Sequence, residues 1–360
     1  MWRSTVVGSL ILIGCKGTLP PTEETDPPNE TGCEASPWTE PGLLVSLQAD
    51  PLKTWLVSLA GGTLGTPEAV FDGLGGDSLR QPMLLDLDGD GSLDIVGYGD
   101  GVYILRWTGC AWEPTQALAA GHRVTTPIDA DGDGDWDLVT VQIDSGVGPL
   151  LVNDGSGGFT ESATAYDLSP AFGGYRVYPA QHSGDVDGDG NADFAVVAYD
   201  TGGGDQGARV YVVRGNGDGT FQAPLEVGTT PYPSSGMDLG DVDGDGDLDL
   251  VAGLDDDGDP GQIWLFRNDG TGGFGAAEEL VDVAPEVEGQ DDGPGFGRVH
   301  LVDLDGNGAV ELVAAWDAES GANQVTIERY DFAGATVTGP TVLFGPTEGA
   351  HTWVGLTHEL

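Results

Sequence analysis

One nine-residue stretch, Asp241-Val242-Asp243-Gly244-Asp245-Gly246-Asp247-Leu248-Asp249, decides the fold. Aspartate occupies every odd position and glycine two of the even ones, and the stretch runs directly into the apolar segment Leu250-Val251-Ala252. Side-chain oxygens stand at its positions 1, 3 and 5, and glycines at positions 4 and 6 allow the backbone conformations of a tight turn. The stretch therefore predicts an acidic loop that connects two β-strands.

The same pattern occurs five times, and we name each copy by its first residue. The other four are the Asp86, Asp129, Asp185 and Asp303 loops, so the first positions lie 43, 56, 56 and 62 residues apart. A period of this size with short strands is typical of a propeller or a repeat array. The residues expected to offer oxygen ligands, at positions 1, 3, 5, 7 and 9 of each loop, are Asp86, Asp88, Asp90, Ser92 and Asp94; Asp129, Asp131, Asp133, Asp135 and Asp137; Asp185, Asp187, Asp189, Asn191 and Asp193; Asp241, Asp243, Asp245, Asp247 and Asp249; and Asp303, Asp305, Asn307, Ala309 and Glu311.

Six to eight hard oxygen ligands from one short loop suit Ca²⁺, with position 7 offering its backbone carbonyl. Zn²⁺ prefers histidine and cysteine, which the loops lack. An EF-hand needs a glutamate at position 12, but the residues there are Gly97, Thr140, Val196, Ala252 and Ala314. We therefore predict about five Ca²⁺ ions. The alternative is a set of metal-free Asp-Gly turns, whose carboxylates would repel one another.

The segments around each loop repeat as well. A short apolar stretch precedes the loop, two strands follow it, and a Gly-rich turn such as Asn268-Asp269-Gly270-Thr271-Gly272-Gly273 leads into a fourth strand. Four-stranded units in radial repetition make a β-propeller. The five units with a loop span residues 80–117, 123–163, 178–226, 235–281 and 297–345.

The ends of the chain carry strand-like segments without a loop. Residues 43–72 and 351–357 together predict a sixth blade, in which a C-terminal strand pairs with N-terminal strands and closes the ring. We predict six blades of an all-β propeller. Seven blades remain possible if residues 160–178 or 281–300 contain further strands.

The Asp-x-Asp-Gly-Asp-Gly-x-x-Asp loops resemble those of the FG-GAP/VCBS repeat family, which includes the integrin alpha-chain propeller. The resemblance covers about residues 80–345. It implies a β-propeller with Ca²⁺ in the hairpins between the first and second strands, and this places the metal in the loops named above. It implies no enzymatic activity, since propellers serve many functions.

The charge of the chain excludes two classes of partner. The 60 Asp and Glu against 12 Lys and Arg give a net charge of −48. Such a surface repels phosphate backbones, so nucleic acid is excluded as a partner. Anionic lipid head groups are excluded for the same reason. Bound cations are the obvious source of counter-charge.

The N-terminus predicts export and attachment to a membrane. Residues 1–14 form a short signal-like segment, and Leu12-Ile13-Gly14-Cys15 resembles the lipobox of bacterial lipoproteins, in which Cys15 receives the lipid. An ordinary secretory signal is the alternative. Residues 15–41 are Pro-rich and acidic and predict a tether, which leaves residues 42–360 as the propeller. The protein is expected in the bacterial cell envelope, in contact with the membrane only through this lipid.

Two further cysteines, Cys33 and Cys110, can form a disulfide in an oxidising compartment. The alternative is two independent buried thiols. If the pair forms, it fixes the end of the tether to the propeller.

The chain contains no recognisable catalytic motif. His182 and His300 each stand three residues before a loop, as does Asp238. We expect three separately hydrogen-bonded side chains there; their convergence into one polar or metal site is the alternative. The face opposite the Asp loops carries long variable connections that include Tyr175, Tyr178 and Tyr232, which suit protein or glycan contacts.

These observations favour a binding protein for a protein or glycan ligand. A polysaccharide lyase or hydrolase with a histidine in its site, and a purely structural envelope protein, remain as alternatives. A pocket that groups His182 or His300 with arginine and tyrosine would favour the enzyme.

Overall fold

The structure is a computed structural model. It describes residues 42–48, 53–60, 63–64, 68–71, 80–98, 101–108, 112–116, 121–142, 145–169, 175–200, 207–231, 234–254, 261–282, 294–304, 307–318, 324–334, 336–344 and 351–353. Within these ranges every regular element is a β-strand. The signal-like segment, the tether, Cys15, Cys33 and Cys110 lie outside the described residues.

The strands group into six units, which we call blades 1 to 6. Blade 1 contains β1 (Gly42–Gln48), β2 (Lys53–Ala60), β3 (Thr63–Leu64), β4 (Glu68–Phe71) and β25 (His351–Trp353). Blade 2 contains β5 (Arg80–Leu85), β6 (Asp94–Tyr98), β7 (Val102–Trp107) and β8 (Trp112–Gln116). Blade 3 contains β9 (His122–Ile128), β10 (Asp137–Gln142), β11 (Val147–Asn153) and β12 (Phe159–Asp167).

The three remaining blades follow in chain order. Blade 4 contains β13 (Tyr175–Gly184), β14 (Asp193–Asp200), β15 (Arg209–Val213) and β16 (Leu225–Thr229). Blade 5 contains β17 (Ser234–Gly240), β18 (Asp249–Leu254), β19 (Gln262–Phe266) and β20 (Glu278–Asp282). Blade 6 contains β21 (Pro294–Val302), β22 (Glu311–Ala318), β23 (Gln324–Ala333) and β24 (Thr336–Phe344).

Within blades 2 to 6 the strands are antiparallel and pair in sequence order. Hydrogen bonding defines five sheets, because blades 4 and 5 are joined into one sheet of eight strands by a single parallel pair, Ala180 with Met237. That sheet therefore comprises two four-stranded units. The described strands thus make the six predicted blades and leave no set over for a seventh.

Blade 1 is closed by the two ends of the described chain. Strand β25 pairs antiparallel with β1, which aligns Ser46 with Trp353 and Gln48 with His351. Strand β2 follows β1, and β3 and β4 pair with different parts of β2 in place of one continuous outer strand. The prediction of a loop-free blade built from both chain ends is confirmed.

The core lies between neighbouring blades. One apolar cluster joins blades 2 and 3 through Val96, Ile104 and Leu138, and another joins blades 5 and 6 through Val251 and Leu312. Because second strands have a blade on each side, all described residues of β6 and β18 are buried, which explains their continuous apolar sequences. The outer strands β16 and β20 are mostly exposed.

The described part of the chain contains no helix with the length and apolar character that crossing a membrane requires.

Candidate functional site

The Asp loops connect the first and second strands of blades 2 to 6. The Asp86 loop follows β5, and the Asp129, Asp185, Asp241 and Asp303 loops follow β9, β13, β17 and β21. The first strands run along the same direction in the ring, as the parallel pairing of β13 with β17 shows. The loops therefore lie at one end of the propeller.

Carboxylates converge in four of the loops. In each one, oxygen atoms from three aspartates lie within 4.8 Å of one another. The groups come from positions 1, 3 and 5 in three loops and from positions 1, 3 and 9 in the Asp185 loop: Asp86, Asp88 and Asp90; Asp129, Asp131 and Asp133; Asp241, Asp243 and Asp245; Asp185, Asp187 and Asp193. The Asp303 loop cannot be compared, since Asp305 and Gly306 lie outside the described residues.

The backbone of each loop turns around its first carboxylate. Asp241 accepts hydrogen bonds from the N–H groups of Gly244 at 2.7 Å and Gly246 at 3.0 Å. These glycines have φ angles of +81° and +95°, values that side chains disfavour. The glycines thus allow the loop N–H groups to point at the two carboxylate oxygens of Asp241.

The position-9 carboxylate has a second role that the sequence did not predict. Asp137 is buried and accepts hydrogen bonds from the backbone N–H of Ala130 at 3.1 Å and of Asn153 at 2.8 Å. Asp193 and Asp249 repeat this pattern. Burial, the largest cause, raises the pKa of Asp137 to about 6, against its backbone hydrogen bonds. Position 9 therefore anchors the loop to the second and third strands as well as offering an oxygen.

Arginines that contact the loop carboxylates are site residues that the sequence did not predict. Arg106 Nη1 lies 2.8 Å from Asp88 Oδ2, and Arg214 Nη1 lies 3.0 Å from Asp187 Oδ2. Arg267 contacts Asp243, and Arg329 contacts Glu311. Arg106, Arg214 and Arg267 recur at the end of the third strand of their blades. This regular position in the sequence could have identified them.

The donor set fits Ca²⁺. The loops offer only hard oxygen atoms. Four buried carboxylate oxygens, Asp86 Oδ1, Asp94 Oδ2, Asp131 Oδ1 and Asp135 Oδ1, have no hydrogen-bond partner, and of these Asp94 Oδ2 lies 3.2 Å from Arg106 Nη1. Buried polar atoms are normally satisfied. Burial raises the pKa of Asp131 and Asp135, with the charge of Asp133 as the next cause. A divalent cation would satisfy these oxygens and remove the mutual repulsion.

A second polar cluster lies on the inner strands. Asp238 on β17 is fully buried, and its carboxylate contacts His182 Nδ1 and lies 3.7 Å from His300 Nδ1. It also accepts the backbone N–H groups of His182, Leu239 and Leu301 at 3.1, 2.9 and 2.8 Å. The expectation of three separate side chains is therefore wrong. Equivalent positions on adjacent first strands meet near the axis, so one carboxylate serves both histidines.

A cavity of about 1300 Å³ opens between these clusters at the loop end. Its wall includes His182, Ser183 and Arg329 together with the first residues of four loops, Asp129, Asp185, Asp241 and Asp303. Among the described residues, the wall contains no tyrosine. The described wall thus has the histidine and the arginine, but not the tyrosine, of the grouping that would favour an enzyme.

The predicted ligand face is outside what the structure describes. Tyr232 and most of the long connections lie outside the described residues, as do the side chains of Tyr175 and Tyr178. The backbone places Tyr175 and Tyr178 on β13, in the part of that strand farthest from the Asp185 loop. Their role in ligand contact stays a prediction.

Three overlapping segments, residues 129–196, 185–252 and 241–314, match a family model described as FG-GAP-like repeat. Together they run from residue 129 to residue 314, which is more than half of the 360 residues. No curated protein shows a significant sequence match.

Solved structures share the propeller fold at low identity. A structure described as specific recognition of non-reducing terminal N-acetylglucosamine by an Agrocybe aegerita lectin has a TM-score of 0.51 at 19% identity, over 84% of this chain and 80% of that one. A triple-arginine mutant of AofleA from Arthrobotrys oligospora has a TM-score of 0.55 at 10% identity, over 88% and 86%. At these identities the similarity shows the fold alone.

Proposed function

Because the chain belongs to the FG-GAP-like repeat family, we propose that it is a calcium-stabilised β-propeller that binds a protein or a glycan. The observation that carries the calcium proposal is the convergence of three carboxylates within 4.8 Å in four successive loops. Buried oxygens without partners in two of these loops support it. The scaffold so stabilised can hold variable connections in fixed positions, where binding functions usually reside.

The residues that would hold each ion are the side chains at positions 1, 3 and 5, with the anchored position-9 carboxylate closing the shell. Bound Ca²⁺ supplies the positive charge that these carboxylates lack. The chain's own contribution is to hold the oxygens together before the ion arrives. It does so through backbone N–H groups that point at positions 1 and 5, such as Gly188 N to Asp185 at 2.7 Å and Asp247 N to Asp245 at 3.0 Å.

Equilibrium dialysis against ⁴⁵Ca²⁺ tests this proposal. The full chain is expected to bind about five ions, and Asp243→Asn is expected to remove one. Asp282→Asn is the matched control, because Asp282 is an exposed residue of β20 far in sequence from any loop. Absence of calcium binding by the wild-type chain would refute the proposal.

The ligand proposal rests on the scaffold and on one structural neighbour. The Agrocybe aegerita lectin, which shares the fold, is described as recognising non-reducing terminal N-acetylglucosamine. We therefore place glycans and glycoproteins first among the candidate ligands, and the face opposite the Asp loops as the binding surface. An array of glycans and of envelope and host proteins, probed with and without calcium, tests this. Ligand binding should be lost in chelator, and Tyr175→Ala and Tyr178→Ala should weaken it without changing calcium binding.

The location proposal rests on the sequence alone. We propose that Cys15 carries lipid, that residues 15–41 tether the propeller to the bacterial cell envelope, and that Cys33 and Cys110 form a disulfide. Cys15→Ser should release the protein from the membrane fraction. Wild-type protein that is already fully soluble after export would refute the anchor, and mass spectrometry that finds two free thiols would refute the disulfide.

A further inference from the structure

One neighbouring residue distinguishes the Asp129 loop from the others, and hydrogen bonding identifies it. The position-9 aspartates of four loops each accept a backbone N–H from the third strand or from the second residue after its end; the donors are Trp107, Asn153, Gly215 and Asn268. The residue just before each donor therefore occupies the same place in its blade. These residues are Arg106, Val152, Arg214 and Arg267.

The three arginines place a positive charge against their loops. Each contacts the position-3 carboxylate of its own blade, Asp88, Asp187 or Asp243, through one oxygen. That oxygen is engaged before any cation arrives. In blade 6 an arginine contacts position 9 of the loop instead of position 3, since Arg329 Nη2 lies 3.1 Å from Glu311 Oε1.

The Asp129 loop lacks this charge. Val152 is partly buried and packs against the apolar cluster between blades 3 and 4. Among the described residues, no arginine, lysine or histidine nitrogen lies within 4.0 Å of a carboxylate oxygen of this loop. Two of its buried oxygens, Asp131 Oδ1 and Asp135 Oδ1, have no hydrogen-bond partner.

The formal charges of the Asp129 and Asp241 loops show the same difference. The Asp129 loop has aspartate at all five odd positions and no arginine, whereas the Asp241 loop has the same five aspartates with Arg267 in contact. The two loops thus differ in charge at one matched position, which holds valine in one blade and arginine in the other. They form a natural pair for comparison.

We propose that Val152 makes the Asp129 loop the tightest cation site of the chain, and that arginine at the matched position weakens the other sites. This inference rests on the calcium sites proposed above and goes on to rank them. With the dielectric constant of water, Coulomb repulsion from an arginine charge roughly 6 Å away lowers the affinity for a divalent ion about tenfold. One loop would then stay occupied at calcium levels that empty the others.

Trp136 allows the ranking to be measured. It is residue 8 of the Asp129 loop, where the Asp241 loop has Leu248. Excitation of tryptophan therefore sensitises Tb³⁺ luminescence at this loop, and the part of the signal that Trp136→Phe removes belongs to it. Displacement of Tb³⁺ by Ca²⁺ then gives the calcium affinity of this one site in the full chain.

We expect the Trp136 signal to report the tightest calcium site. Val152→Arg should weaken this site about tenfold, and Val152→Met, of similar length without charge, less than twofold. The reverse experiment uses Leu248→Trp as a reporter in the Asp241 loop, where Arg267→Met should tighten calcium binding about tenfold. This second pair keeps the test decisive if Val152→Arg does not fold.

Equal effects of Val152→Arg and Val152→Met would overturn the inference, and so would no change on Arg267→Met. A Trp136 site that is weaker than the average from ⁴⁵Ca²⁺ dialysis would also overturn it. These failures are distinct from failure of the proposed function, which would appear as no calcium binding at all.

Discussion

The Asp loops and the Asp238 cluster concentrate charge in different ways. Asp238 is fully buried, yet its oxygens receive three backbone N–H groups and contact His182 and His300. In the loops, three carboxylates converge and buried oxygens at Asp86 and Asp131 have no partner. Both oxygens of Asp238 therefore have partners within the chain, whereas the loops keep buried carboxylate oxygens that a cation from solution would satisfy. Stability at the loops should depend on the free calcium concentration, and stability at the centre should not.

Chelation should have the largest effect. At free calcium about ten times Kd, one site contributes about 1.4 kcal/mol, so five sites contribute about 7 kcal/mol. This is comparable with the whole stability of a domain, about 5–15 kcal/mol. EGTA should therefore lower the melting temperature sharply. Excess Ca²⁺ should restore it, and Mg²⁺ at the same concentration should restore less. An unchanged melting curve in EGTA would show that the loops are metal-free turns.

Removing the charge of Asp238 should have the next largest effect on the free energy of unfolding. Asp238→Asn removes the negative charge beside His182. It also places an NH₂ group where a carboxylate oxygen accepts a backbone N–H, either that of Leu301 or those of His182 and Leu239. We expect a loss of about 3 kcal/mol in urea unfolding, since one partner of a buried charged network is removed. The loss should be equal in calcium and in EGTA.

Asp282→Asn on the exposed strand β20 is the control and should change stability little. An Asp238→Asn loss that disappears in EGTA would break the comparison, because it would tie the centre to the loops.

The loops could be predicted from the sequence because their determinants are local. Aspartates at alternate positions and glycines that adopt positive φ are all contained within nine residues, such as Asp185–Asp193. The anchoring role of Asp137 could not be predicted, since it depends on which third-strand N–H faces the loop. The same register is needed to see that Val152 and Arg267 occupy matched places.

The contacts of the central cluster could not be predicted without the three-dimensional arrangement of the blades. His182 and His300 are 118 residues apart in sequence, and only the packing of three adjacent first strands brings both to Asp238. Their shared position three residues before a loop indicated the inner strands correctly. It did not reveal that the strands are close enough for one carboxylate to contact both imidazoles.

Acid should destabilise the centre through His300. Burial lowers the pKa of His300 from 6.5 to about 3 in the folded chain, against the opposing charge of Asp238. Since the unfolded imidazole takes up a proton first, stability is lost as pH falls below about 6.5 and continues to fall towards 3. The loss should reach about 2 kcal/mol at pH 5.

Urea unfolding of wild type and His300→Gln at pH 8 and pH 5 isolates this contribution, because carboxylate titrations are common to both proteins. The wild type should lose about 2 kcal/mol more than the variant, relative to their values at pH 8. Parallel pH profiles would mean that His300 has the same pKa in the folded and unfolded chain, and a wild type that loses less than the variant would mean that His300 is protonated at the centre.

The smallest effects should come from single loops, and they sharpen the contrast within the loops themselves. Asp187→Ala should cost about 1.4 kcal/mol at calcium ten times Kd, because it removes one site. In EGTA the cost should fall below about 1 kcal/mol, the value of the remaining Asp187–Arg214 ion pair. Asp305→Ala should cost less than Asp187→Ala in calcium, since the Asp303 loop has Asn307 in place of an aspartate and should be the first to empty. Calcium titration of the melting temperature measures both, and equal costs at every calcium concentration would show that the amide of Asn307 binds the ion as well as a carboxylate does.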